Sequence, residues 1–390
     1  MHGDSVEDMS KLRVLAALTV STSLLISGCT SSDEPSAVEP TTTTPSSGTI
    51  KTDDVQAALD ALVDAGSVAA VAQVRDGENS WSGAAGLVER NGTEAASADD
   101  PVRIASVTKA MVAAVVLQLV DEGKLELDQQ VDELLPGLLP RPVTVRQLLD
   151  HTSGIPDYLV GFDSVEQIAA RSDDSVTDDE LISQALAMPW PNDPGSTFAY
   201  SNTNYVLLGR IAADLDGKSI GQSLQDRIFD PLEMADTTYP TDAAIADNAL
   251  HGYVMENGTY TDVTDYDASI WSSGAAVVST VGDMNTFFRA LFDGTLIPQD
   301  LIDEMQVVSP SGYGLGLLLG GDACNPGSGE LVFGQRGNGF GYSTLAFASP
   351  DGERQVALSW TSAAPDPATD PLFQYASAAL IAGLESTCPA

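Results

Sequence analysis

The sequence predicts an α/β (α+β) protein in which an antiparallel sheet flanked by helices is drawn from both ends of the folded region and an all-α lobe from its middle. Three observations predict it. Short segments with strand-like alternation cluster near the two ends, at 68–75 and 80–89 and then at 313–319, 331–336, 341–348 and 354–360. Helical periodicity brackets them at 52–65 and 371–384, while residues from about 125 to about 305 read as mainly helical with long loops. Between these, 110–120 are apolar except for Gln118, and a helix that is apolar all round is a buried one.

Taken in order, the chain opens with Lys11 and Arg13 ahead of an apolar run, Val14 to Ile26, which is short for a membrane span. It reads as a targeting segment, set apart from the fold. It ends Leu25-Ile26-Ser27-Gly28-Cys29, and small residues before a cysteine resemble a bacterial lipobox, with Cys29 as the lipidated first residue of the mature chain. Thr30 to about Gly48 is rich in Ser, Thr, Pro and Glu, cannot bury a core, and reads as a flexible tether. The expected organisation is therefore a lipoprotein signal peptide at 1–28, a disordered tether at 29–49 and one folded unit at 50–390. Within that unit the α/β lobe takes about 50–124 and 306–390, and the all-α lobe about 125–305. The expected location is the outer face of the cell membrane, held by acyl chains on Cys29. The first strand pair turns at Gly77; the buried helix closes with Gly123-Lys124, the usual C-terminal signals. Cys324 and Cys388, in an exported compartment that permits disulfides, are expected to pair.

Charge and inventory exclude several function classes. With 56 acidic against 17 basic residues the net charge is −39, which argues against nucleic acid and anionic membrane surfaces as partners. Three distant cysteines and three scattered histidines (His2, His151, His251) do not supply the clustered ligands of a zinc site, and no metal or other cofactor is expected. A Ser-His-Asp triad would need His151 or His251, and no G-x-S-x-G elbow accompanies either. His151, in Asp150-His151-Thr152-Ser153-Gly154, reads as a turn histidine.

The chemistry concentrates in Ser106-Val107-Thr108-Lys109, which opens the buried helix. Residues three apart share a helix face, so the Lys109 amine can hang over the Ser106 hydroxyl. Burial lowers a lysine pKa and makes the amine usable as a base, so the tetrad reads as a nucleophile with its activator. Two further segments join it. Tyr200-Ser201-Asn202 supplies an ionisable hydroxyl and an amide able to hold both a lysine and a substrate carbonyl. Phe333-Gly334-Gln335-Arg336-Gly337-Asn338-Gly339 has the glycine density of a strand that a ligand approaches closely.

In this order these motifs resemble the serine β-lactamase and penicillin-binding hydrolase superfamily. The branch they most resemble holds class C β-lactamases, D-alanyl-D-alanine carboxypeptidases and related esterases. Thr144 to Pro156 and Tyr313-Gly314-Leu315-Gly316 match accessory stretches, and the resemblance runs from about Lys51 to about Leu384. It implies a β-lactamase-like fold with the active site between the lobes. It implies Ser106 as nucleophile, Lys109 as general base, Tyr200 as general acid or base and Asn202 as the orienting amide, with Lys109 and Tyr200 sharing the proton work. The oxyanion hole would be the backbone N–H groups of Ser106 and Asn338, and Gln335, Arg336 and Gly337 would bind substrate. The substrate would be a small peptide, a β-lactam or an ester, handled by a monomer. The chain departs from the family where K-T-G or H-T-G is replaced by Gln335-Arg336-Gly337. Alternation along a strand puts Arg336 and Asn338 on one face and Gln335 on the other; the resemblance implies that the first of these faces lines the cleft, so Arg336 is expected to dock a substrate carboxylate. The implied activity is that of a D-alanyl-D-alanine carboxypeptidase-like peptidase. A β-lactamase or esterase of the same fold, and a catalytically weak carboxylate-binding protein, stay open at this point.

Overall fold

The computed structural model describes residues 50–160, 175–256, 258–364 and 370–389. The apolar leader, Cys29 and the tether lie outside the described residues.

Helix α1 (Asp53–Asp64) leads into strands β1 (Ala69–Asp76) and β2 (Asn79–Gly86). A two-residue strand, β3 (Val102–Arg103), precedes helix α2 (Thr108–Asp121). The middle of the chain carries α3 (Val131–Leu134), α4 (Val145–Leu149), α5 (Asp178–Leu186), α6 (Asn202–Asp216) and α7 (Ile220–Leu224). Strands β4 (Tyr253–Glu256) and β5 (Thr259–Asp262), helix α8 (Ser272–Ala275), strand β6 (Val278–Ser279), and helices α9 (Val281–Phe292) and α10 (Gln299–Met305) follow. The chain returns to the sheet with β7 (Leu318–Gly321), β8 (Leu331–Gly339), β9 (Tyr342–Ala348) and β10 (Arg354–Thr361), and closes with α11 (Phe373–Ser386).

The main sheet has the order β2-β1-β10-β9-β8-β7, and its neighbours pair antiparallel. The first and last strands in chain order, β1 and β10, thus lie side by side within it: Ala69 opposes Thr361 and Asp76 opposes Arg354. Period-2 alternation divides each strand between two cores. Ala70, Ala72 and Val74 of β1, with Val356, Leu358 and Trp360 of β10, pack under α1 and α11. Ala69, Val71 and Ala357 face the other way, into the larger core that holds α2 and the helical region. Helix α2 lies at the centre of that core, and every residue from Thr108 to Leu117 is fully buried. The small Ala110, Ala113 and Ala114 let its neighbours come close, as Gly316 does above Ala113.

The antiparallel sheet with helices on its faces is as expected; three local expectations change. The middle segment is not purely helical: β4 and β5 form a hairpin, and β6 pairs with β3. Residues 313–317, expected as strand, form a loop, with the strand starting at Leu318. Gly316 there has φ +81°, and a Cβ on it would lie 2.6 Å from that of Ala113, so the chain bends tightly over α2 instead of extending. The second strand ends at Gly86 rather than near Glu89, because Gly86 itself turns at φ +86°. Cys324, in the turn between β7 and β8, is joined to Cys388 beyond α11 by a disulfide.

Candidate active site

Ser106 sits in a single 3₁₀ turn, Ala105–Val107, that runs directly into α2. Ala105, just before it, has φ +48°, a left-handed conformation that costs a non-glycine residue energy and persists only where the surroundings impose it. The turn presents the hydroxyl at the mouth of the cleft, and Ser106 is 9% exposed.

Lys109, one turn on, is 0% exposed. Its amine contacts three oxygens: Asn202 Oδ1 at 2.7 Å, the Gly274 carbonyl at 2.8 Å and Ser106 Oγ at 3.1 Å. Burial pulls its pKa down to about 7, and Asp157 is the charge that acts against the shift. An amine at that value is neutral about half the time at neutral pH. A neutral amine has two hydrogens and one lone pair. With the hydrogens on Asn202 and Gly274, the lone pair is left for Ser106.

Tyr200 reaches the serine from the other side, its Oη donating to Ser106 Oγ at 2.8 Å. The residue is 40% exposed to the cleft, but its hydroxyl end is shielded against Ser106, and burial pushes the phenol well above its ordinary range. Tyr200 is therefore a proton donor in the resting site, and the amine is the better base. His151 stacks on the Tyr200 ring with centroids 4.3 Å apart. It is buried, and that burial, with the Lys109 charge second, holds its pKa well below 6.5. Its Nδ1 accepts from the Ser201 amide at 3.2 Å. His251 instead pairs with Asp262 at 3.1 Å. Ser106 Oγ is hydrogen-bonded to Lys109 and Tyr200, and His151 and His251 have the other partners named.

Asn202 is the first residue of α6, and its side chain faces both ways: Oδ1 toward Lys109, and Nδ2 toward Asp157 Oδ2 at 2.9 Å. Two partners were missed by sequence reasoning. Asp157 directly follows the quoted Thr144–Pro156 stretch, yet its partner is 45 residues on, so no local spacing announces it. The Gly274 carbonyl carries no side-chain signal at all.

The third segment forms the opposite wall. Ser106, Tyr200, Asn202, Gln335, Arg336 and Asn338 line one cleft of about 330 Å³, closed on its apolar side by Leu159, Phe198, Trp271, Tyr313 and Leu318. Gln335 and Arg336 differ as alternation requires. Gln335 is 1% exposed; its amide donates to Tyr313 Oη and the Gly316 carbonyl, and its carbonyl accepts from the Arg336 N–H. Gln335 thus lines the cleft while its polar groups tie β8 to the loop before β7. Arg336, which also lines the cleft, has its Nε on Asn338 Oδ1 at 2.7 Å and its guanidinium over the Phe373 ring at 4.0 Å. Asn338 in turn donates to Ser343 Oγ at 2.8 Å, so this edge is held rigid.

The arrangement has known counterparts. Residues 55–380 match the family described as Beta-lactamase. Among solved structures, the chain is similar to a D-stereospecific amidohydrolase from Streptomyces sp., with 34% identity over 84% of this chain and 97% of that one and a TM-score of 0.74. It is also similar to the D-amino acid amidase of Ochrobactrum anthropi SV3 complexed with D-phenylalanine, with 27% identity over 85% of this chain and 98% of that one and a TM-score of 0.75. Among curated proteins, penicillin-binding protein 4 of Amycolatopsis lactamdurans is 31% identical over 229 residues, 55% of this chain and 57% of that protein. A putative penicillin-binding protein of Bacillus subtilis is 28% identical over 258 residues, 65% of this chain and 60% of that protein. The matches thus span little more than half the length of these curated relatives.

Proposed function

The chain belongs to the Beta-lactamase family of serine hydrolases, and from that premise we propose that it hydrolyses D-alanyl-D-alanine-type peptides through an acyl-enzyme on Ser106. The observation that carries this reading is the Lys109 amine, buried, lowered to about 7 and aimed at the serine by two fixed oxygens. Ser106 Oγ attacks the substrate carbonyl carbon and its proton passes to Lys109. The developing oxyanion is taken by the backbone N–H groups of Ser106 and Asn338, each such donor being worth roughly 3–4 kcal/mol of barrier. Tyr200 protonates the leaving nitrogen and is reprotonated by Lys109. Water then cleaves the acyl-enzyme by the reverse route, which returns the serine proton. Arg336 receives the carboxylate at the end of the substrate.

A second reading, hydrolysis of D-aminoacyl amides, is favoured by the likeness to the two D-specific amidohydrolases and by the aromatic wall of Phe198, Trp271 and Tyr313, which suits an apolar side chain. We also propose that the chain is exported and lipid-anchored at Cys29; acyl chains on the N-terminal peptide of membrane-extracted protein would support this, and an unmodified cysteine would refute it.

The test of the main reading is the intact mass of the folded unit after exposure to a fluorescent penicillin, beside Ser106→Ala, together with turnover of a D-alanyl-D-alanine peptide and of D-phenylalanine amide. A lasting adduct on wild type alone with peptide turnover supports the peptidase. Rapid loss of the adduct points to a β-lactamase, and turnover of the amide alone points to the second reading. Wild type that hydrolyses nothing, activated esters included, would make the chain a binding protein. Labelling of Ser106→Ala would assign the wrong nucleophile.

A further inference from the structure

Behind the Ser106–Lys109–Asn202 set lies a half-buried carboxyl, that of Asp157, which the acyl-transfer scheme does not use. Asp157 Oδ2 accepts from Asn202 Nδ2 at 2.9 Å, and its Oδ1 accepts from the Leu159 amide at 3.0 Å. The loop that carries it is tied to the start of α6. Ser201 and Thr203 donate their hydroxyls to the Pro156 carbonyl at 3.2 and 2.7 Å, and the Tyr158 amide donates to Thr203 Oγ1 at 3.1 Å. Tyr158 Oη reaches across to the Ile270 carbonyl at 2.6 Å. Asp157 is thus held at a fixed place relative to Asn202.

A primary amide is polar in one direction, and a carboxylate only accepts. An ionised Asp157 can face only the –NH₂ end of Asn202, which turns Oδ1 toward Lys109. With Oδ1 there, a neutral Lys109 donates to it and to Gly274, and the lone pair points at Ser106. With the amide reversed, Asn202 would offer an N–H to Lys109, and the lone pair would be drawn to that N–H and away from the serine. Resting on the acyl-enzyme reading above, we propose that Asp157 is a positioning residue: its carboxylate locks the direction of the Asn202 amide and thereby aims the Lys109 lone pair at Ser106.

The surroundings leave this role to Asp157. Lys109 faces the Tyr200 and Tyr205 rings at 4.9 and 5.5 Å, His151 is held neutral, and Asp157 is the anion that acts on the amine. Asp157 in turn meets Lys109 through Asn202, and the phenols of Tyr158 and Tyr200 nearby are pushed up by burial and stay neutral. Burial also raises the Asp157 carboxyl, and the Leu159 amide, Asn202 and Lys109 favour its ionised form.

The experiment is the rate of covalent labelling of Ser106 by a fluorophosphonate as a function of pH, which needs no knowledge of the natural substrate. It compares wild type with Asp157→Asn, Asp157→Ser and Asp157→Glu, and thermal melting reports whether each variant folds. Should Asp157→Asn fail to fold, Asp157→Ser makes the same comparison. In either neutral variant the plateau rate falls by about tenfold or more, part of the roughly 100- to 10,000-fold that a positioned base contributes. The acid limb also moves to lower pH, because the charge that raises the Lys109 pKa is gone. Asp157→Glu keeps the wild-type limb. A neutral variant that folds, melts lower and keeps both wild-type rate and limb overturns the proposal and leaves Asp157 a structural residue. Failure of wild type itself to label at Ser106 overturns the acyl-enzyme reading and the proposal with it.

Discussion

Gly337 of β8 lies against the carbonyl of Ile104 so closely that a Cβ on the glycine would stand 2.1 Å from the Ile104 oxygen. The strand that forms one wall of the cleft is thus laid directly on the turn that presents the nucleophile, with no side chain between them. Gly337→Ala must push β8 away from Ala105–Val107 or move that turn. Since displacement of a reacting group by about 1 Å costs on the order of 100-fold, kcat/KM for an activated ester falls by about that factor. The melting temperature falls as well, and equal kcat/KM in wild type and variant would show that the strand and the turn are not coupled.

Lys109 makes two pH dependences predictable. Acylation needs the neutral amine, so kcat/KM falls with decreasing pH through about 7. The stability effect has its own sign. The amine titrates at about 7 in the folded chain and near 10.5 when unfolded, so between these values the unfolded chain binds the extra proton. Stability therefore rises with pH across this window and the contribution of Lys109 is least favourable below it. Lys109→Met abolishes acylation and removes this slope. The wild-type gain between pH 7 and pH 9, less that of Lys109→Met, comes to roughly 2 kcal/mol in urea melts. Parallel curves would mean that the amine stays charged in the folded protein.

Arg336 offers a separate test of substrate recognition. Its Nε and one face are committed to Asn338 and Phe373, which stiffens a side chain that lines the cleft. Arg336→Ala raises KM about tenfold or more for a substrate ending in a free carboxylate, as expected for a lost charge-assisted hydrogen bond, and leaves a neutral ester unchanged. Equal loss on both substrates would mean that Arg336 only braces Asn338.

The covalent link from Cys324 to Cys388 closes a loop of 64 residues. Replacing both cysteines by serine lowers the unfolding free energy by about 4 kcal/mol on the chain-entropy account. Denaturant titration with and without reductant measures it, and indistinguishable curves would show that the link adds nothing.

Much of this site was legible because it is written in local spacing. Ser106 and Lys109 are three apart where a 3₁₀ turn runs into α2, Tyr200 and Asn202 flank one residue at a helix start, and alternation alone separates Arg336 from Gln335. What escaped was carried by folding at a distance. The Asp157–Asn202 bond and the Gly274 carbonyl depend on how a loop and a short helix settle around α2. The hydrogen bond from Gln335 to Tyr313 likewise joins residues 22 apart, across a loop where the sequence pattern predicts strand. The β4–β5 hairpin did leave a sign: Asn257-Gly258 between two alternating runs is a strong hairpin signal.

The burial of α2 on all sides has a consequence for how the protein would fail. Segments that open easily are those with few buried contacts, and amide exchange grades a structure from fraying edges to a core released only when everything unfolds. The helix bearing Lys109, and running straight on from Ser106, belongs to that last group. Its amides should exchange only through global unfolding, while the outer loops breathe freely. Heat would then spare the Ser–Lys pair until the whole molecule gives way, so that activity and structure disappear in a single transition.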